Sequence, residues 1–120
     1  MKRVTRADRR RLSDLIMSEA MERFDVSFDD LLDECRAAEF LNRRGWMARV
    51  AHQCGLSISG SAVVFDSTDF KTASRSIARA NRAFPNEDWE SYAKKVEGIY
   101  RANYHGTWPF SDRDSLQKER

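Results

Sequence analysis

The chain has 120 residues and a mass of 13.9 kDa, room for one domain. Hydrophobic residues make up 41% and charged residues 33%, with a formal net charge of +2; that balance supports one compact core and excludes a collagen-like or low-complexity chain. No apolar run approaches the roughly 18–20 residues of a membrane span, the basic start MKRVTRADRRR is followed by no apolar signal core, and two cysteines, Cys35 and Cys54, are too few for a disulfide scaffold and fit a reducing, cytoplasmic setting.

In chain order, residues 1–11 form a basic N-terminal arm with six basic side chains and one acid. Leu12, Leu15, Ile16, Ala20 and Phe24 then follow one stripe of a helix over about 6–24. Ser27 and Asp30 are spaced as a capping box, and FDDLLDECR reads as a short helix burying Leu31 and Leu32. A longer helix is predicted over about 37–54, with Phe40, Leu41, Met47, Val50, Ala51 and Cys54 inward and Gly55 as the residue that ends it. SISGSAVVF predicts a short helix with Ala62, Val63 and Phe65 inward, although its valines and Gly60 also suit a short strand. Asp66-Ser67 reads as a turn and N-cap, opening a helix that buries Ala73, Ile77, Ala80 and Phe84 and stops at Pro85. Asn86 is the expected cap of a last helix over about 87–104, with Trp89, Tyr92, Val96 and Ile99 inward. Residues 106–120 have no periodicity and read as a tail on which Trp108 and Phe110 are the groups able to dock. The expected fold is all-α, about six helices in one domain over 1–105, with a helix-turn-helix at 57–80 whose second helix shows Lys71, Thr72, Arg75, Ser76 and Arg79 outward.

Charge is distributed unevenly along this plan. Residues 12–34 carry eight acids against the single basic Arg23, whereas 35–55 carry Arg36, Arg43, Arg44 and Arg49 against Glu39, and 56–84 carry Lys71, Arg75, Arg79 and Arg82 against Asp66 and Asp69. Such runs usually mark solvated helix faces; here they also suit a basic nucleic-acid surface with acids kept away from it.

The stretches ERFDVSFDDLLDECR, NRRGWMARVAHQCGLS and FDSTDFKTASRSIARA together resemble the C-terminal DNA-binding domain (domain IV) of the bacterial replication initiator DnaA, over roughly residues 12–100. Asp30-Leu31-Leu32 stands at that family's D-L-L, Met47-Ala48 at the M-A of its long helix, and Gly55-Leu56-Ser57 at the opening of its turn motif. Phe65 matches its phenylalanine, and Asp69 and Thr72 match the outer positions of D-H-T-T. The resemblance implies that Arg36 enters the minor groove and that the helix from Asp69 lies in the major groove. It departs from the family where Phe70 and Lys71 replace the His and first Thr that read bases, where Asp66-Ser67-Thr68 replaces G-G-R, and where Gly45 and Trp46 replace polar residues. The chain carries no G-x-x-x-x-G-K-[ST] and lacks the length for an ATPase domain, so it reads as a stand-alone relative of the DNA-binding domain.

Catalytic and metal chemistry find no support at this level. His52 and Cys54 are two residues apart and face away from each other on a helix, no C-x-x-C pair is present, and nothing orients a base or supplies an oxyanion hole. No enzyme activity, cofactor or metal is expected. Two functions remain. The first is a duplex DNA binder, a monomer associated with the nucleoid that regulates replication initiation or transcription. In it Arg36 enters the minor groove, Arg43, Arg44 and Arg49 hold phosphates, and Asp69, Phe70, Lys71, Thr72, Arg75 and Arg79 line the reading helix. The second is an adaptor that modulates replication initiation through a protein partner such as an initiation protein, suggested by the lost His-Thr pair, the acidic 12–34 segment and the exposed-looking Phe70 and Trp46.

Overall fold

A computed structural model of the chain describes residues 4–32, 37–63, 70–106 and 108–110. Among them run six helices and no strand: α1 (Arg6–Phe24), α2 (Phe28–Leu32), α3 (Ala38–Cys54), α4 (Ile58–Val63), α5 (Phe70–Ala83) and α6 (Trp89–Asn103). The all-α expectation holds, and 58–63 is a helix, not a strand. The turn expected at Asp66-Ser67, Phe65, and the side chains of Leu32, Ala62 and Val63 lie outside the described residues.

Local chemistry explains most of the boundaries. Thr5 Oγ1 accepts from the Asp8 N–H at 3.1 Å while the Thr5 N–H donates to Asp8 Oδ2 at 2.9 Å, a reciprocal box that starts α1 inside the stretch expected to be an arm. Residues from Arg6 onward are therefore helix. Burial works to raise the Asp8 carboxyl, but the bonds from Thr5 and from the Tyr100 hydroxyl, with Arg11 nearby, outweigh it and leave the group below the usual carboxylate range. Ser27 and Asp30 make the expected box at the start of α2, with bonds of 3.2 and 3.3 Å. The end of α3 is a Schellman motif: the Gly55 N–H donates to the His52 carbonyl and the Leu56 N–H to the Ala51 carbonyl, at 3.1 and 3.2 Å. At the start of α6 the cap is Asp88, whose carboxylate accepts from the Ser91 N–H at 3.0 Å; Asn86 lies two residues earlier, in the turn after Pro85.

Helix α3 is the middle layer. On one side Trp46, Met47, Val50, Ala51 and Cys54 join Leu12, Ile16, Met17 and Ala20 of α1 and Ala93, Val96 and Tyr100 of α6 in the main core. On the other side Ala48 joins Ala73 and Ile77 of α5, with Ile58 of α4 against them. The stripes expected on α1 and α5 are therefore the buried ones, with Leu15, Phe24 and Phe84 half-buried at their edges. On α6 Val96 is buried as expected, Trp89, Tyr92 and Ile99 are half-buried, and Tyr100 goes fully inside.

Two expectations change. Trp46, expected at the surface, is 0% exposed. Its ring meets Phe24 and Tyr92 edge-on at 5.4 and 5.0 Å and lies 6.3 Å from Trp89. A polar neighbourhood in sequence does not reveal that three helices bring aromatic rings to this position. The packed body also passes residue 105: Phe110 is 2% exposed and packs on Tyr100 at 5.7 Å, with Trp108 half-buried beside it. Residues 111–120 lie outside the described residues.

The Trp46 indole N–H donates to Glu87 Oε2. Arg23 holds the same carboxylate in a two-bond fork of 3.0 and 3.2 Å. Glu87→Ala leaves the indole N–H buried without a partner and should cost about 1–3 kcal/mol in urea denaturation. Glu87→Gln should cost less, because its amide oxygen still accepts from the indole; equal losses would assign the effect to Arg23 alone. Gly55 has φ +128°, and a Cβ there would land on the Phe110 carbonyl oxygen. Gly55→Ala should therefore destabilise the protein by about 1–3 kcal/mol, and an unchanged melting curve would show that the 108–110 segment does not sit on this turn in solution.

Candidate nucleic-acid interface

Helix α4 begins where Ser57 Oγ accepts from the Gly60 N–H at 3.0 Å, and Ser61 turns inward to donate to the Ile58 carbonyl at 2.8 Å. Helices α4 and α5 pack on each other and both pack on α3. The approach of α5 to α3 is close because of one glycine: a Cβ on Gly45 would lie 2.5 Å from the Ser76 carbonyl oxygen and 3.4 Å from Ala80 Cβ. Ala73, Ile77 and Ala80 fill that contact, so the opposite face of α5 is left to solvent.

That face carries Lys71, Arg75 and Arg82, all exposed. At about 100° per residue the three lie within about 40° of one another and span about 16 Å along the axis. Helix α5 contains no acidic residue, and none of these three cations has a hydrogen-bond or ion-pair partner among the described residues. Ser74 and Ala78, short and half-buried, share the same side. Arg82 was not among the residues singled out from sequence, although its i+7 spacing from Arg75 puts it in the same phase.

The remaining sequence candidates divide. Arg79 is half-buried and donates to Asn42 Oδ1 at 3.3 Å, which places it where α5 meets α3. Arg43 stands 3.9 Å from Glu39 and 5.2 Å over the Phe40 ring, and Arg44 is half-buried and engaged. Arg49, expected to hold a phosphate, is instead built into the body. Its Nε donates to Asn81 Oδ1 at 3.1 Å, its Nη1 to Gln53 Oε1 at 3.0 Å, and its guanidinium lies 5.1 Å over the Trp89 ring. Burial pushes the Arg49 pKa below its ordinary value. Arg36 and Asp69 lie outside the described residues, as do the side chains of Phe70 and Thr72, whose backbones belong to α5.

Of the groups considered for metal or nucleophilic chemistry, Cys54 is buried and His52 Nδ1 is 2.8 Å from the Leu56 carbonyl oxygen. Among the described residues no three His, Cys, Asp or Glu side chains are grouped to hold a metal ion, and no helix is long and apolar enough to cross a membrane. Comparison of the chain with protein-family models, with curated proteins and with solved structures found no match.

Arg49→Ala separates the structural role from the phosphate role. It removes two hydrogen bonds and a cation–aromatic contact and should lower stability by about 1–3 kcal/mol in urea denaturation. At physiological salt, where charges act over about 8 Å, duplex affinity of the folded variant should stay within about twofold of the parent. A large affinity loss at unchanged stability would return Arg49 to the interface.

Proposed function

We propose that this protein binds double-stranded DNA with the outer face of α5 and regulates chromosome replication initiation or transcription, acting as a monomer at the nucleoid without catalysis of its own. The observation that carries the reading is the row of cations Lys71, Arg75 and Arg82, unpaired among the described residues, on a helix with no acid. A helix about 10–12 Å across suits a major groove about 12 Å wide, and the second helix of such a pair is the one that enters it. The short Ser74 and Ala78 let the backbone come close to base edges, while Arg79 reaches Asn42 of α3, the helix that also carries Arg43 and Arg44, and phosphates would flank the groove on that side.

The biological setting comes from the resemblance of the 22–36, 42–57 and 65–80 stretches to the initiator's DNA-binding domain. Phe70 and Lys71 stand where that family reads bases with His and Thr, and a phenyl ring offers no hydrogen bond to a base edge. The protein therefore binds with little preference for the initiator's own box. The adaptor reading draws less support: Trp46 is in the core, and Glu19 of the acidic segment is held by Lys95 at 3.0 Å.

Fluorescence anisotropy of a labelled duplex across a salt series tests this. Four to six phosphate contacts give a slope of log affinity against log salt of about −4 to −5, and the triple variant Lys71→Ala, Arg75→Ala, Arg82→Ala should flatten it by about 2–3 units. Competition with box and scrambled duplexes should show near-equal binding. A complex insensitive to salt, or unaffected by the triple variant, overturns the reading.

A further inference from the structure

A second group of exposed cations lies on the first turns of α1. Arg6, Arg9 and Arg10 are exposed, and none of their side chains has a hydrogen-bond or ion-pair partner among the described residues. Their i, i+3, i+4 spacing makes them neighbours on the helix surface. The acid inside this cluster does not neutralise it: Asp8 is taken up by the Thr5 N–H, the Tyr100 hydroxyl and Arg11. The next acid, Asp14, is one turn further on and forms no ion pair with Arg10. Cations at this end also oppose the helix dipole, which favours acids there. Helix stability thus gives no reason for three guanidinium groups in this place.

The position of the cluster matters as much as its charge. Helices α1 and α5 pack on opposite faces of α3: Trp46, Val50 and Cys54 belong to the core shared with α1, and Gly45 and Ala48 meet α5. With helices about 8–10 Å apart, the axes of α1 and α5 are about 16–20 Å apart. A duplex lying on the outer face of α5 stays on the far side of α3 from the α1 cluster. The protein measures only 27–40 Å along its principal axes, so two such surfaces occupy much of its exterior.

We propose that Arg6, Arg9 and Arg10 form a second phosphate-binding surface and that one copy of this protein bridges two DNA duplexes, one on α5 and one on the first turns of α1. The inference rests on the proposed DNA binding by α5. A run of three exposed guanidinium groups suits a polyanion with regularly repeated phosphates, and the contacts carry no sequence information. Bridging brings two distant chromosomal segments together without dimerisation.

The test uses the full chain, a biotinylated duplex on beads and a fluorescent duplex of unrelated sequence, with single-duplex anisotropy run in parallel. The parent protein should retain the fluorescent duplex on the beads. The variant Arg6→Ala, Arg9→Ala, Arg10→Ala leaves the Thr5–Asp8 box intact and should fold with an unchanged circular dichroism spectrum. It should lose second-duplex capture by about tenfold or more while single-duplex affinity stays within about threefold at physiological salt. A parent that binds one duplex but captures no second overturns bridging and leaves the α5 reading standing. Capture retained by the variant assigns bridging to self-association and overturns the α1 surface. Absence of single-duplex binding overturns the α5 reading and this inference with it.

Discussion

The Trp46 indole donates its N–H to Glu87, and Arg23 grips the same carboxylate from α1 with two hydrogen bonds. This knot joins three parts of the chain that are far apart in sequence. Arg23 is in the last turn of α1, Trp46 is in the middle of α3, and Glu87 is in the connection between α5 and α6. A buried N–H needs an acceptor, and a half-buried carboxylate needs donors; the indole and the exposed guanidinium meet on Glu87 and satisfy both. The surrounding rings complete the arrangement. The Arg23 guanidinium lies over Phe24 and Phe84 at 5.1 and 5.6 Å, and Phe84 tilts against Phe24 and meets Trp89 edge-on.

The direction in which α5 presents its surface follows from this knot and from Gly45. Glu87 anchors the chain just after α5, and the missing Cβ at Gly45 lets Ser76 and Ala80 settle directly on α3. With both constraints in place, Ala73, Ile77 and Ala80 have one way to be buried. Lys71, Arg75 and Arg82 then have one way to be exposed. A bulkier residue at 45 would lift α5 away from α3 and turn the basic row relative to Arg43 and Arg44 of α3.

The arginines of this protein serve two different purposes. Arg23, Arg49 and Arg101 hold carboxylates, amides or carbonyls of this same chain, and Arg11 lies 4.7 Å over the Tyr104 ring. Lys71, Arg75 and Arg82 on α5 and Arg6, Arg9 and Arg10 on α1 remain uncommitted among the described residues. The near-neutral total charge conceals this division. Most acids that face cations belong to the internal pairs, as Glu19 does with Lys95 and Glu97 with Arg101. The uncommitted cations of α5 and of α1 then gather in two separated places on the surface.

Helix existence was legible in the sequence because burial on a helix repeats every three to four residues, and Leu12, Ile16 and Ala20 or Ala73, Ile77 and Ala80 display that repeat whatever they pack against. Caps and stops formed by neighbours in sequence, such as Ser27 with Asp30 or Gly55 after α3, were legible for the same reason. The sequence also placed Lys71 and Arg75 opposite the apolar stripe of α5. It could not tell Arg49 from Arg75, since both are arginines on helices in a basic stretch. Only the tertiary structure brings Asn81, Gln53 and Trp89 around the first and leaves the second in water. The Asp88 cap is local, three residues from Ser91, but Asn86 in the same polar run is an equally good cap by residue type. The burial of Trp46 was hidden likewise, and Phe110 was legible only as a group able to dock: whether a polar-flanked aromatic or a non-periodic segment is buried depends on partners that folding alone brings within a few ångströms, and no spacing along the chain encodes them.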